Sequence, residues 1–212
     1  MKRVIFFFLL AVLSFSFIKK EKSILLSYDD RPNTKEWWRY NDKVKFEFRT
    51  GGKDLNSVAS RAYLNVQWPY SSQEGEYTWF TDLKIDSLRN PKMESYRKSF
   101  GNTIWLSFWC RVNNKDTLYV HPMVLSANHK GKWGCKDMTL ITSNNWTFYK
   151  YNLSKLSYEK WGKEGGNQPN FKTTEVRCFE IGLRKGKAKT VGSIDADFDN
   201  VMISNFEPYG NE

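Results

Sequence analysis

The stretch that decides the fold class is Thr103–Val112, TIWLSFWCRV. Strict alternation places Ile104, Leu106, Phe108, Cys110 and Val112 on one face of a strand and Thr103, Trp105, Ser107, Trp109 and Arg111 on the other. The first set is an apolar core face. The second sets two large aromatics among small and cationic groups, a surface that makes sense where another sheet, a loop or a ligand covers it.

The same period of two recurs on both sides of this run. It predicts strands over 23–28, 43–49, 59–68, 77–85, 117–125, 138–142, 147–152, 175–183 and 191–204, separated by turn chemistry such as RPN, TGGKD, PYSSQEG, NNKD, NHKGKWG and SNNW. No long helical period intervenes. One helical turn is expected at Leu153 to Glu159, at the start of a long loop over 154–170. Many short strands at this spacing predict an all-β jelly-roll β-sandwich of two antiparallel sheets. Composition agrees, since 17% of residues are aromatic, with 9 Trp and 11 Tyr, types that suit pleated sheets.

Residues 1–16 read as a signal peptide rather than as part of the fold. Lys2 and Arg3 form a basic start, an apolar and Ser run follows to Phe17, and Ser14-Phe15-Ser16 supplies small residues for cleavage. The run is shorter than the ~20 residues of a membrane span. The expectation is one domain over 17–212, secreted or periplasmic or held at the cell surface, with no membrane span after signal removal. No nucleotide-binding glycine motif is present.

The chain carries 33 Lys and Arg against 23 Asp and Glu, a formal charge of +10. Without Lys2 and Arg3 the balance is 31 against 23, or +8. These charges are dispersed and form no long basic run, so nucleic acid is not an expected partner, and stacking on a neutral sugar is expected to outweigh charge steering. Three cysteines, Cys110, Cys135 and Cys178, suggest one disulfide, Cys135 to Cys178 for preference, with Cys110 a buried thiol.

The order of landmarks resembles the galactose-binding-like jelly rolls of carbohydrate-binding modules. The residues that carry it are ILLSYDD at 24–30, Trp37-Trp38, SRAYLNV at 60–66, TIWLSFWCRV, NWTFYKYNL at 145–153 and SIDADFDNVMI at 193–203. The resemblance implies that the first and last strands lie side by side and share a structural Ca2+. It assigns Asp29 or Asp30 and Asp199 as ligands, with carbonyls near Gly51 to Asp54, a donor set suited to a hard cation. The other reading of Asp195, Asp197 and Asp199 is the alternating polar face of a last strand.

The resemblance further implies a concave sheet face that holds a glycan. The outward sets of the predicted strands supply Tyr63, Asn65 and Gln67, then Trp105, Trp109 and Arg111, then Tyr119 and His121, then Glu180 and Arg184. Flat aromatic faces suit the axial C–H patches of sugars, and the amides and charges suit their hydroxyls. Trp133 and Trp161, in loops, are placed to cover that face instead, which would make Trp105 and Trp109 a small second core. The expected function is a secreted, monomeric, non-catalytic domain that binds a polysaccharide or oligosaccharide. The alternatives are a cell-surface adhesion module and a jelly-roll polysaccharide lyase built on Arg61, Gln67, Tyr119 and His121. In the lyase pattern Tyr63 stands where a Glu is expected.

Overall fold

The computed structural model describes residues 21, 23–25, 37–39, 42–50, 62–70, 77–82, 101, 103–113, 118–126, 131–160, 176–185 and 192–210. The signal sequence, Asp29, Asp30, Gly51 to Asp54, Arg61, His129 and Trp161 lie outside the described residues. The strands are β1 (Ser23–Leu25), β2 (Trp37–Arg39), β3 (Lys45–Thr50), β4 (Ala62–Tyr70), β5 (Tyr77–Asp82), β6 (Trp105–Val112) and β7 (Leu118–Ser126). They continue with β8 (Gly131–Trp133), β9 (Thr139–Ile141), β10 (Thr147–Asn152), β11 (Tyr158–Lys160), β12 (Val176–Lys185) and β13 (Gly192–Ser204).

Two antiparallel sheets result. The first runs β10-β6-β13-β4-β3, with β1 also on β13, and the second runs β11-β8-β7-β12-β5-β2, with β9 on β7. The first and last described strands are neighbours, Ser23 opposite Ser204 and Leu25 opposite Met202. The opening stretch lies between β13 and β10 in the first sheet.

Each of the ten predicted segments carries a strand, and three short strands were missed. In the sequence β2 shows only as a Trp pair, and β8 as the loop GKWG. It is a strand because Gly131 lets β11 come close: a Cβ there would strike the Glu159 carbonyl and the Tyr158 ring. β11 falls where the loop over 154–170 was expected, and the helical turn is a single 3-10 turn at Leu153–Lys155.

The core forms between the sheets as the alternation requires. Ile104, Leu106, Phe108, Cys110 and Val112 are all buried against Leu64, Val66, Trp68, Val120, Ile181 and Leu183. An aromatic chain ties the sheets together: Phe198 of β13 meets Phe108 of β6 at 5.5 Å and Phe80 of β5 at 5.3 Å between ring centroids. Edge-to-face rings add to the ~1.5–3 kcal/mol that burying each such side chain contributes.

Two expectations are corrected. Trp133 is not a covering loop residue but a core residue, 2% exposed, because pairing of β8 with β7 and β11 turns it inward. The expected Cys135 to Cys178 disulfide is absent, and all three cysteines carry thiols. Cys178 Sγ donates instead to Glu180 Oε1 at 3.5 Å.

Candidate functional site

Sequence alternation separates inward from outward residues, but a sandwich has two outward faces. Tyr63, Asn65, Gln67, Trp105, Trp109 and Arg111 stand on β4 and β6, in the first sheet. Tyr119, His121, Glu180 and Arg184 stand on β7 and β12, in the second. The single groove expected from the sequence is therefore two surfaces on opposite sides of the molecule. The same division separates Gln67 from Tyr119 and His121, so the lyase constellation does not assemble.

The face of the first sheet is closed on itself. Asn65 Nδ2 donates to Asp195 Oδ1 at 2.6 Å and to Asp197 Oδ1 at 2.7 Å, and Arg111 Nε donates to Asp197 Oδ2 at 2.8 Å. Asn113 also donates to Asp195. Trp146, from the turn before β10, lies over this network, its ring centroid 4.6 Å from the Arg111 guanidinium carbon and 5.5 Å from the Tyr63 ring. Trp109 packs on Phe148 at 5.4 Å, and Gly210 lies so close to Phe148 that a Cβ would clash. Trp105 and Trp109 are thus half-buried, neither an open platform nor a sealed core. The polar groups that would meet sugar hydroxyls here already bond one another.

The face of the second sheet is open. A groove of about 320 Å³ is lined by Tyr77, Trp79, His121, Met123, Lys132, Cys135, Glu159 and Arg184. That volume is at the lower end of small-molecule sites, which span about 300–1,000 Å³. Strand register builds it in rows. Tyr77, Arg184 and Tyr119 stand side by side on β5, β12 and β7, and the next row is Trp79, Gly182 and His121. Gly182 makes room for its neighbour, since a Cβ there would strike the His121 imidazole.

Lys132 of β8 closes the floor. Its Nζ lies 2.7 Å from Glu180 Oε2 on β12 and 4.0 Å from the centroid of the Trp79 ring on β5. β8 and β5 are three spacings apart, roughly 14 Å, so the contact is made by two long side chains reaching toward each other over β7 and β12. Above this floor Tyr77 and Trp79 stack at 5.5 Å with 13° between planes, and Tyr77 is 52% exposed.

Electrostatics keep the imidazole neutral. Burial pushes the His121 pKa down from 6.5 to about 4; Arg184 and Lys132 act in the same direction, against the Gly134 main chain and Asp137. Its Nδ1 is buried without a hydrogen-bond partner. Cys135 is likewise pushed up by burial to about 11 and is an un-ionised wall residue.

The sequence reading overlooked Tyr77, Trp79, Lys132 and Glu159. Tyr77 and Trp79 were legible in principle, because YTWFTD alternates as cleanly as the opening stretch and Thr78 and Phe80 take the inward side. Lys132 and Glu159 sit on β8 and β11, two of the three short strands that sequence periodicity does not show.

Of the expected calcium ligands only Asp199 is described. It is buried on the outward side of β13, and its Oδ1 accepts from the Asn200 main chain at 2.7 Å across a bulge where Asn200 has φ 46°. Among the described residues no three His, Cys, Asp or Glu side chains gather to hold a metal ion. The described part of β13 thus does not by itself form a calcium site, and Asp195, Asp197 and Asp199 make up its outward polar face.

No family model and no curated protein matches the chain. Among solved structures it is similar to part of an exo-β-agarase, with a TM-score of 0.57 and 13% identity over 90% of this chain and 26% of that one. This chain is a jelly-roll β-sandwich. It is also similar to a family 11 carbohydrate-binding module of Clostridium thermocellum, with a TM-score of 0.48 and 13% identity over 86% of this chain and 94% of that one. A family 22 xylan-binding domain from Paenibacillus barcinonensis gives 0.45 and 8% over 86% and 91%. The resemblance to carbohydrate-binding jelly rolls read from the sequence holds at the level of fold. At these identities the site chemistry has to be argued from the groove itself.

Proposed function

We propose that this chain is a secreted, non-catalytic carbohydrate-binding domain that holds a polysaccharide or oligosaccharide in the groove of the second sheet. The observation that carries the reading is the stacked Tyr77–Trp79 pair at the lip of a concave face whose walls hold a neutral imidazole, a guanidinium and a carboxylate. A pyranose lays its C–H face on the exposed Tyr77 ring, where its hydroxyls meet His121 and Arg184, and Glu159 stands farther along the groove for another sugar unit of the chain. Glu180 is buried and bonded to Lys132, so that among the described residues the groove does not present the two accessible carboxylates of a glycosidase. Export is supported by the basic and then apolar run at the amino terminus. Among the described residues no helix is long and apolar enough to cross a membrane. Calcium held by Asp29 or Asp30 with Asp199 remains part of the proposal.

The test is affinity electrophoresis through a panel of neutral and acidic polysaccharides, with parallel absorbance in the band of unsaturated uronates. Retardation without rising absorbance is expected, and Tyr77→Ala removes it while keeping the melting temperature. Absorbance that rises with time, or retention unchanged in Tyr77→Ala, overturns the reading.

A further inference from the structure

The groove charges are unevenly matched. Lys132, its deepest cation, is neutralised by Glu180. Glu159 lies opposite Lys132, which itself pairs with Leu125, whereas Arg184 pairs with Tyr119. Six residues along β7 therefore separate the Glu159 row from the Arg184 row, roughly 20 Å of backbone. Arg184 is half-buried between the cross-strand neighbours Tyr77 and Tyr119, and its hydrogen-bond contact is to Met138 Sδ at 4.0 Å, a weak acceptor. Among the described residues no carboxylate lies within ion-pair distance of it. Arg111 in the other sheet shows the contrast, since its guanidinium is spent on Asp197 at 2.8 Å.

We propose that the groove selects a sugar bearing an acidic substituent, and that Arg184 reads it. This deepens the proposed function and rests on it. A guanidinium on a strand flanked in register by two tyrosines presents a flat fork of N–H donors that matches two oxygens of a carboxylate or a sulfate ester. Directly opposed residues of adjacent antiparallel strands stand about 5 Å apart, so a ring stacked on Tyr77 carries its equatorial substituents to Arg184. His121, next along the groove, meets a hydroxyl without competing for the anion. The dispersed +8 of the chain is not what recognises acidity here; one positioned cation is.

The experiment uses matched pairs that differ only in the acidic group: polygalacturonate against its methyl ester, and a sulfated galactan against its desulfated form. Wild-type protein is expected to bind one acidic member at least tenfold more tightly than its masked partner, and which pair responds identifies carboxylate or sulfate. Arg184→Gln brings that acidic glycan down to the level of the masked one. Raising ionic strength from about 0.02 to 0.3 M weakens the wild type and leaves Arg184→Gln unmoved. Thermal melts of both proteins guard against misfolding, and the salt series on wild type alone keeps the test decisive if the variant fails to fold. Binding of masked or neutral glycans as tight as of acidic ones overturns this inference while leaving a carbohydrate groove. Retention of no glycan at all overturns the groove itself.

Discussion

Lys132 and Glu180 form an ion pair of 2.7 Å in which both side chains are nearly sealed from water, at 6% and 3% exposure. The pair joins β8 to β12 across the intervening β7, and the Lys132 ammonium also faces the Trp79 ring on β5. Removing either partner leaves the other charge shielded from water and without this ion pair. Lys132→Met and Glu180→Gln should each cost ~3–5 kcal/mol by urea denaturation, and the double variant Lys132→Met/Glu180→Leu well under the sum. Single losses below about 1 kcal/mol would show that the floor is hydrated.

The two faces separate by mutation of their tryptophans. Trp109 is half-buried against Phe148, so Trp109→Ala should cost ~1–3 kcal/mol, less than the ~3–5 kcal/mol expected of Phe198→Ala in the core. Glycan retention should survive in Trp109→Ala. If Trp109→Ala abolishes retention at intact stability, the binding face is the first sheet.

His121 predicts an acid-sensitive fold. Its pKa is near 4 when folded against 6.5 unfolded, so the unfolded chain takes up the proton first. Above pH 6.5 the group is neutral in both states and stability is whole. Between pH 6.5 and 4 stability falls as pH falls, by ~3 kcal/mol in all from this residue. Unfolding free energies of wild type and His121→Gln at pH 7, 5.5 and 4.5 check it, with a shallower slope in the variant. Identical slopes would remove His121 as the cause.

Calcium gives a test by melting. If Asp29 or Asp30 joins Asp199 around Ca2+, millimolar calcium should raise the melting temperature over excess chelator, and Asp199→Asn should cancel the difference. No calcium dependence in the wild type would leave Asp199 as a cap for the β13 bulge alone.

Thiol counting tests the cysteines. The denatured chain, never reduced, should take up three alkyl groups by mass spectrometry, from Cys110, Cys135 and Cys178. In the folded protein at pH 8, Cys135 should react slowly, since its pKa is pushed up to about 11. One alkyl group instead of three would reinstate a disulfide.

Local chemistry alone determined ten of the thirteen described strands and which side of each of those is apolar. TIWLSFWCRV, YLNVQW and FEIGL all bury the residues that alternation assigns inward, because the pleat fixes side-chain direction at every second residue. Tertiary structure decided which outward face each strand joins, since sheet membership depends on pairings between segments far apart in the chain. Trp109 and His121, both outward by period, thus stand on opposite sides of the molecule. Strands of three residues such as Gly131–Trp133 and Tyr158–Lys160 are too short to show a period and exist because they pair with each other. The groove floor belongs to that second class of fact: only the strand order of the folded sheet brings Lys132 to Glu180 and Trp79, and leaves Arg184 without a carboxylate among the described residues.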